Sequence, residues 1–159
     1  MNRRSFVISA TSLVLLPSAS RAADTVGGRF VGNGTEARLG FASAYRREGL
    51  TSKDAVVVVM TEKSHAGLKN PDADSLSGKF GSALVISLDR PGGLMFRCHV
   101  IHRAMTRKAM VLGVVRAEGV SFDGNRVKAR FTTNGTARLL DEPFEVDIQV
   151  DAGIRPKLA

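Results

Sequence analysis

Short segments in which apolar and polar residues alternate run through most of this sequence, and they constrain its fold more than any other feature. In residues 144–151, Phe, Val, Ile and Val occupy every second position, with Glu, Asp, Gln and Asp between them. The same period of two recurs in residues 84–89, 94–101 and 127–132. Neighbouring side chains of a β-strand point to opposite faces, so this period is typical of strands with one buried face. The pattern predicts an all-β chain.

Three further segments add to the predicted strands. Residues 54–60 contain four consecutive valines, which predicts a central strand buried on both faces. Residues 110–115 are largely apolar and predict another strand, with its faces undefined. Residues 37–45 predict a strand with one face formed by Ala37, Leu39, Phe41 and Tyr45.

Turn residues separate these segments. Glycine beside asparagine, aspartate or proline accepts the positive φ angles of tight turns, and such groups occur at 33–34, 91–93, 123–125 and 134–135. Several of them are predicted to close β-hairpins. About seven short strands with frequent turns predict an antiparallel β-sandwich, immunoglobulin-like or cupredoxin-like, and a small barrel is the alternative.

One short segment has the features of a helix. Asn70 is placed to cap it, Pro71 suits the first helical position, and acidic residues follow in the first turn. Gly78 and Gly81 limit its length. The sequence therefore predicts one short helix near residues 72–80.

The chain begins with the pattern of a secretory leader. Arg3 and Arg4 precede an apolar stretch that is shorter than the roughly 20 residues needed to span a bilayer. Small residues at Ser20 and Ala22 match the positions that a signal peptidase recognises. We expect residues 1–22 to be a signal peptide, so that the mature protein starts at Ala23.

The residues Arg3-Arg4-Ser5-Phe6-Val7 resemble the twin-arginine leader, in which two arginines are followed by any residue, a Phe and an apolar residue. The resemblance covers the leader only. It implies export of an already folded protein, with the ordinary secretory route as the alternative. Either route predicts a periplasmic or secreted protein.

The rest of the chain predicts one domain. We place a β-sandwich at residues 23–153 and a frayed tail at 154–159. Without the three arginines of the leader, 20 basic residues remain against 15 acidic ones, a net charge of +5. That charge does not indicate nucleic-acid binding, although it permits weak contact with anionic surfaces. No transmembrane segment is predicted in the mature chain.

Sulfur and imidazole ligands lie close together in one segment. The spacing of Cys98, His102 and Met105 resembles the ligand loop of cupredoxins, whose copper site takes a Cys, a His, a Met and an upstream His. The resemblance covers about ten residues, and it implies a copper site completed by His65. However, more than fifty residues follow Met105, whereas the cupredoxin loop lies near the C-terminus.

The residues themselves leave other interpretations open. On a straight strand, Cys98 and His102 would be about 13 Å apart and could not share a metal. Cys98 would then be a small apolar core residue. As the only cysteine it cannot form an intramolecular disulfide, and a catalytic Cys–His pair is the weakest interpretation.

The sequence contains no complete catalytic constellation. We therefore expect an exported, non-catalytic binding or accessory module with an unknown ligand and no cofactor. The alternative is a small periplasmic copper protein with His65, Cys98, His102 and Met105 as ligands.

Overall fold

The computed structural model describes residues 22–47 and 54–156. These ranges contain eleven strands and one helix. In chain order the elements are β1 (Thr25–Gly32), β2 (Thr35–Ala37), β3 (Phe41–Arg47), β4 (Ala55–Thr61), α1 (Pro71–Leu76), β5 (Ala83–Asp89), β6 (Met95–Ile101), β7 (Ala109–Met110), β8 (Arg116–Asp123), β9 (Arg126–Thr132), β10 (Ala137–Leu139) and β11 (Glu142–Arg155).

The strands form two sheets that share β11. The first sheet has the order β2-β1-β11-β9-β8, and β10 pairs with the start of β11. The second has the order β3-β4-β5-β6-β7 and joins the end of β11, where Ile154 and Arg155 pair in parallel with Ala44 and Tyr45. Every other pairing among the described strands is antiparallel. The predicted all-β, sandwich-like fold is confirmed.

The main core lies between the two sheets. The first sheet contributes Phe30, Phe131 and Phe144, all fully buried, together with the alternating apolar residues of β11. The second contributes Met60 and Ile86, among other residues of β4, β5 and β6. Burying each large apolar side chain stabilises the fold by roughly 1.5–3 kcal/mol, so the alternating pattern sets which face of each strand turns inward.

A smaller apolar cluster covers the outer face of the second sheet. Its members are Tyr45, Val57, Val59, Ala83, Val85 and Ile101. Helix α1 packs on this side, against β4, β5 and β6. Strand β4 is therefore buried at all seven positions, which confirms the prediction of a central strand covered on both faces.

Three of the predicted turns close hairpins, and the turn at 91–93 is one of them, because it joins the antiparallel strands β5 and β6. Asn33 and Gly34 have φ angles of 50° and 75° and join β1 to β2, with Gly32 opposite Thr35. Gly124 and Asn125 join β8 to β9. The turn at 134–135 connects β9 to β10, which pair with β11 rather than with each other.

Two predicted strands differ from the structure. The segment 37–45 is divided between β2 and β3, because the chain leaves the first sheet after Ala37 and enters the second at Phe41. The segment 110–115 contributes only Met110 to β7. Gly113 has a φ of 73°, and Leu112 beside it is 62% exposed, so an apolar run was wrongly taken for a strand.

The helix is shorter than predicted. It ends at Leu76, because Gly78 takes a φ of 84° that terminates the helical path. Phe80 is buried beyond the helix, not on its face. The Asn70 side chain makes no capping hydrogen bond, whereas the Ser75 hydroxyl donates to the carbonyl of Pro71. No helix within 22–47 and 54–156 is long and apolar enough to cross a membrane.

Residues 1–21 of the predicted leader lie outside the described residues. At the other end, β11 continues through Ile154, which is buried, to Arg155. The predicted frayed tail therefore starts too early, because the second sheet pairs with these residues.

Candidate functional site

A cleft opens over the outer face of β3, beside the smaller apolar cluster. Its volume is about 340 Å³. It lies between β3, the segment after β4 and the end of β11. The lining includes two basic residues and no acidic one; it consists of Phe41, Ala42, Ser43, Ala44, Tyr45, Ser64, His65, Ala66, Gly67, Leu68, Lys69, Pro71, Arg155 and Pro156.

Strand alternation brings Ser43 to this cleft. Ala44 next to it belongs to the main core, so Ser43 and Tyr45 face the opposite side. Ser43 pairs across the sheet with Val59 of the fully buried strand β4. The Ser43 side chain is 8% exposed, so a reactive hydroxyl there would be largely shielded from bulk water.

His65 lies between two hydroxyl groups. Its Nε2 is 2.8 Å from Ser43 Oγ, and its Nδ1 is 2.7 Å from Thr61 Oγ1. Thr61 is the last residue of β4, and His65 follows it in the segment that turns over the outer face of the sheet. The ring is 6% exposed and lies 6.0 Å from the ring of Phe80. The three side chains form a buried hydrogen-bonded chain.

The hydroxyl proton of Thr61 sets which group donates and which accepts in this series of hydrogen bonds. The Thr61 hydroxyl donates to the carbonyl of Lys63 at 2.7 Å, so it can only accept from His65. Nδ1 of His65 therefore carries its proton, and in the neutral ring Nε2 has a free lone pair. Ser43 then donates its hydroxyl proton to Nε2, which is the arrangement of a hydroxyl next to a general base.

Electrostatics keep His65 neutral. Burial, and secondarily the positive charge of Arg155, lower the pKa of His65 below its ordinary value. Arg155 itself is held by Asp24, at 3.2 Å between Nη2 and Oδ2. At neutral pH the ring is thus available to accept a proton.

Tyr45 adds a second hydroxyl to the cleft. Its oxygen is buried, with the carboxylate of Asp72 nearby. Burial, with Asp72 as a lesser influence, raises the pKa of this phenol, so it remains a neutral donor. Asp72 also accepts from Arg47 Nη1 at 2.9 Å.

Cys98 lies in β6 with its side chain in the main core, fully buried. Burial raises the pKa of its thiol to about 12. A thiol that stays protonated at neutral pH is neither a good nucleophile nor a ready metal ligand. This placement matches the interpretation of Cys98 as a small apolar core residue.

The structure brings His102 and Met105 together beside Gly32. A Cβ at Gly32 would lie 2.6 Å from the His102 ring and 2.9 Å from the Met105 sulfur. The His102 ring packs edge-on against Phe30, with 4.9 Å between the ring centroids, and its Nδ1 accepts from the amide of Ala104. His102 and Met105 thus contribute to packing around a close approach of β1.

The four predicted copper ligands do not form one site in this structure. Nowhere in the described ranges are three or more His, Cys, Asp or Glu side chains grouped so that they could hold a metal ion. His65 binds Ser43 and Thr61 on the outer face of the second sheet, whereas Cys98 faces the main core. The reason is that alternation within β6 directs Cys98 to the core face of the second sheet, whereas His65 lies in the segment after β4 that covers the outer face.

Sequence reasoning missed Ser43 and Thr61. Both interrupt otherwise apolar faces: Ser43 lies between Phe41 and Tyr45 on one face of its strand, and Thr61 follows Val57 and Val59 on one face of the valine strand. A polar residue on a predicted buried face indicates that its side chain has a hydrogen-bond partner, but the sequence does not identify that partner.

Comparisons with protein-family models, curated proteins and solved structures found no match.

Proposed function

We propose that this chain is an exported ligand-binding protein. Its β-sandwich takes up a small molecule with an apolar body and a negatively charged or carbonyl-bearing end, in the cleft over β3. The observation that supports this most directly is the pairing of an apolar cleft with a buried Ser43–His65–Thr61 chain at its wall.

The lining suits such a ligand. Small-molecule sites are mostly apolar clefts of roughly 300–1,000 Å³ with a few placed polar groups, and this cleft lies at the lower end of that range. Arg155 gives its rim positive charge, and no lining residue is acidic. The Tyr45 hydroxyl, which stays protonated, lies in the lining as a donor for an oxygen of the ligand.

Decanoate is a suitable probe, because it has an apolar chain and a carboxylate. We expect it to bind with a millimolar or lower Kd and to shift the amide NMR signals of β3 and of residues 64–69. Arg155→Gln should weaken binding about tenfold or more, since it removes one of the two cationic side chains that line the cleft.

Arg29→Gln is the matched control, because Arg29 is also an exposed strand arginine with one ion pair, to Glu145 at 3.7 Å. It lies in β1 of the first sheet and should leave binding unchanged. Thermal melts confirm that both variants are folded. Equal weakening by the two substitutions, or signal shifts elsewhere in the protein, would contradict the proposed site.

A further inference from the structure

We propose that Ser43 is a nucleophile and that the cleft cleaves esters of short apolar acids through transient acylation of Ser43 Oγ. This inference rests on the proposed function, because the ester must occupy the same cleft. It goes beyond binding, since it assigns a reaction and names the residues that carry it.

The geometry supplies the three parts that an activated hydroxyl needs: a nucleophile, a base in hydrogen-bond contact with it, and a group that orients the base. Ser43 Oγ is 2.8 Å from His65 Nε2, and Thr61 Oγ1 holds the opposite nitrogen at 2.7 Å. Because Thr61 gives its own proton to the carbonyl of Lys63, the ring is fixed in the tautomer that leaves Nε2 free.

The backbone holds this arrangement in place. Ser43 lies in β3 between two strands, β4 on one side and the end of β11 on the other. Thr61 and Ser43 belong to adjacent strands of one sheet, so their separation is set by the strand pairing. A site built on paired strands is positioned more precisely than one built on loops alone.

The proposed reaction is a hydrolysis, which consumes one water molecule and needs no other co-reactant. Ser43 Oγ bonds to the acyl carbon of the ester while its proton passes to His65 Nε2. The bond between the acyl carbon and the alcohol oxygen breaks, and the alcohol leaves with the proton from Nε2. Water then attacks the acyl-serine, giving one proton to His65; the carboxylic acid departs and that proton returns to Ser43 Oγ.

We expect slow turnover. In a Ser-His-Asp triad a carboxylate stabilises the imidazolium that forms during proton transfer. Thr61 has no charge, and Arg155 disfavours a positive ring. Acylation is therefore tested best in a single turnover, where a slow step is still visible.

The test is reaction of the purified protein with an alkyl fluorophosphonate, followed by intact-mass and peptide mass spectrometry. We expect one adduct per chain, on Ser43. Ser43→Ala should abolish it, and His65→Gln should slow it at least about 100-fold, the usual contribution of a general base. Ser121→Ala is the matched control, because Ser121 is a strand serine in β8 of the first sheet, outside the cleft, and this variant should label at the wild-type rate.

Two further variants separate a reactive role from a structural one. Thr61→Val should slow labelling and change its pH profile, because the ring is no longer held in one tautomer. Ser43→Cys retains a nucleophile, and iodoacetamide should alkylate that thiol faster than in the Ser43→Cys, His65→Gln double variant. Cys98, buried in the core, is the unreactive internal reference.

The outcomes distinguish this inference from the proposed function. Decanoate binding in the cleft without an adduct on Ser43 would overturn the nucleophile and leave the binding function standing. Labelling of other serines, or equal labelling in His65→Gln, would overturn it as well. The absence of both binding and labelling would remove both proposals.

Discussion

At the scale of single residues, environment decides chemistry in this protein. His65 and His102 are both buried imidazoles, yet His65 meets two hydroxyl groups at a cleft and His102 meets an aromatic ring in the core. For Cys98, burial disfavours the thiolate and dominates the ionisation of the thiol. Residue type alone does not separate these roles.

Replacing Cys98 tests its role as a core residue. Cys98→Ser should lower the free energy of unfolding by roughly 1–3 kcal/mol, because it buries a hydroxyl in apolar surroundings. Urea denaturation measures the change. Cys98→Ala is the control, since it removes the sulfur without burying a polar group, and it should cost less. Added copper should leave the wild-type protein colourless; intense visible absorption that is lost in Cys98→Ser would contradict this prediction.

At the scale of elements, the side chain of Glu142 links segments that are far apart in the sequence. Glu142, at the start of β11, accepts from the amides of Thr106 and Arg107 and from the side chain of Asn33 in the β1–β2 turn. Asn33 also donates to the carbonyl of Ala104. The turn between β1 and β2, the segment after β6 and the start of β11 are thereby held together at one end of the sandwich.

The Glu142 contacts predict a pH dependence of stability. The backbone amide of Thr106 is foremost among the donors that lower the pKa of Glu142 to about 2, from an ordinary value near 4.5. A carboxyl group whose pKa is lower in the folded state stabilises the fold above its unfolded pKa, and that contribution disappears as the pH falls from about 4.5 to about 2. Glu142→Gln should therefore flatten the pH dependence in this window, as measured by urea denaturation at several pH values.

Glu145→Gln is the control on the same strand. Glu145 makes one exposed ion pair, to Arg29 at 3.7 Å, and such pairs contribute little. This substitution should change the pH dependence less than Glu142→Gln does. An equal effect of the two would show that the hydrogen bonds of Glu142 are not the cause.

At the scale of the whole molecule, β11 connects the two sheets, and its end forms part of the wall of the cleft. Its 14 residues pair with β1, β9 and β10 in the first sheet and then with β3 in the second. This crossing carries Arg155 to the wall of the cleft. Near the same end, Arg126 donates to the carbonyls of Ala22 and Ala23, so the residues that flank the predicted cleavage point lie against the fold.

Export is the prediction that concerns the whole chain. We expect Arg3-Arg4→Lys-Lys to block appearance of the mature protein in the periplasm of a bacterial host, because the twin-arginine route requires the arginine pair. Fractionation and N-terminal sequencing measure the outcome, and the expected mature start is Ala23. Continued export of the lysine variant would instead indicate the ordinary secretory route.

The sequence by itself determined the β-rich class, the buried valine strand and three of the hairpins. These features depend on residues near one another along the chain: a period of two selects a face, and Asn33-Gly34 accepts positive φ angles wherever the fold places them. It misjudged residues 110–115, because an apolar run does not distinguish a strand from a loop that buries only some of its side chains, here Val111 and Val115.

Only the tertiary structure decided the site. Ser43 and His65 lie 22 residues apart, and Arg155 reaches the same cleft from the far end of the chain. Their meeting depends on the pairing of β3 with β4, on the crossing of β11 and on which face the segment after β4 covers. Local alternation carries no information about contacts between distant segments. The sequence therefore led us to group His65 with Cys98 as copper ligands, whereas in the fold His65 forms hydrogen bonds with Ser43 and Thr61.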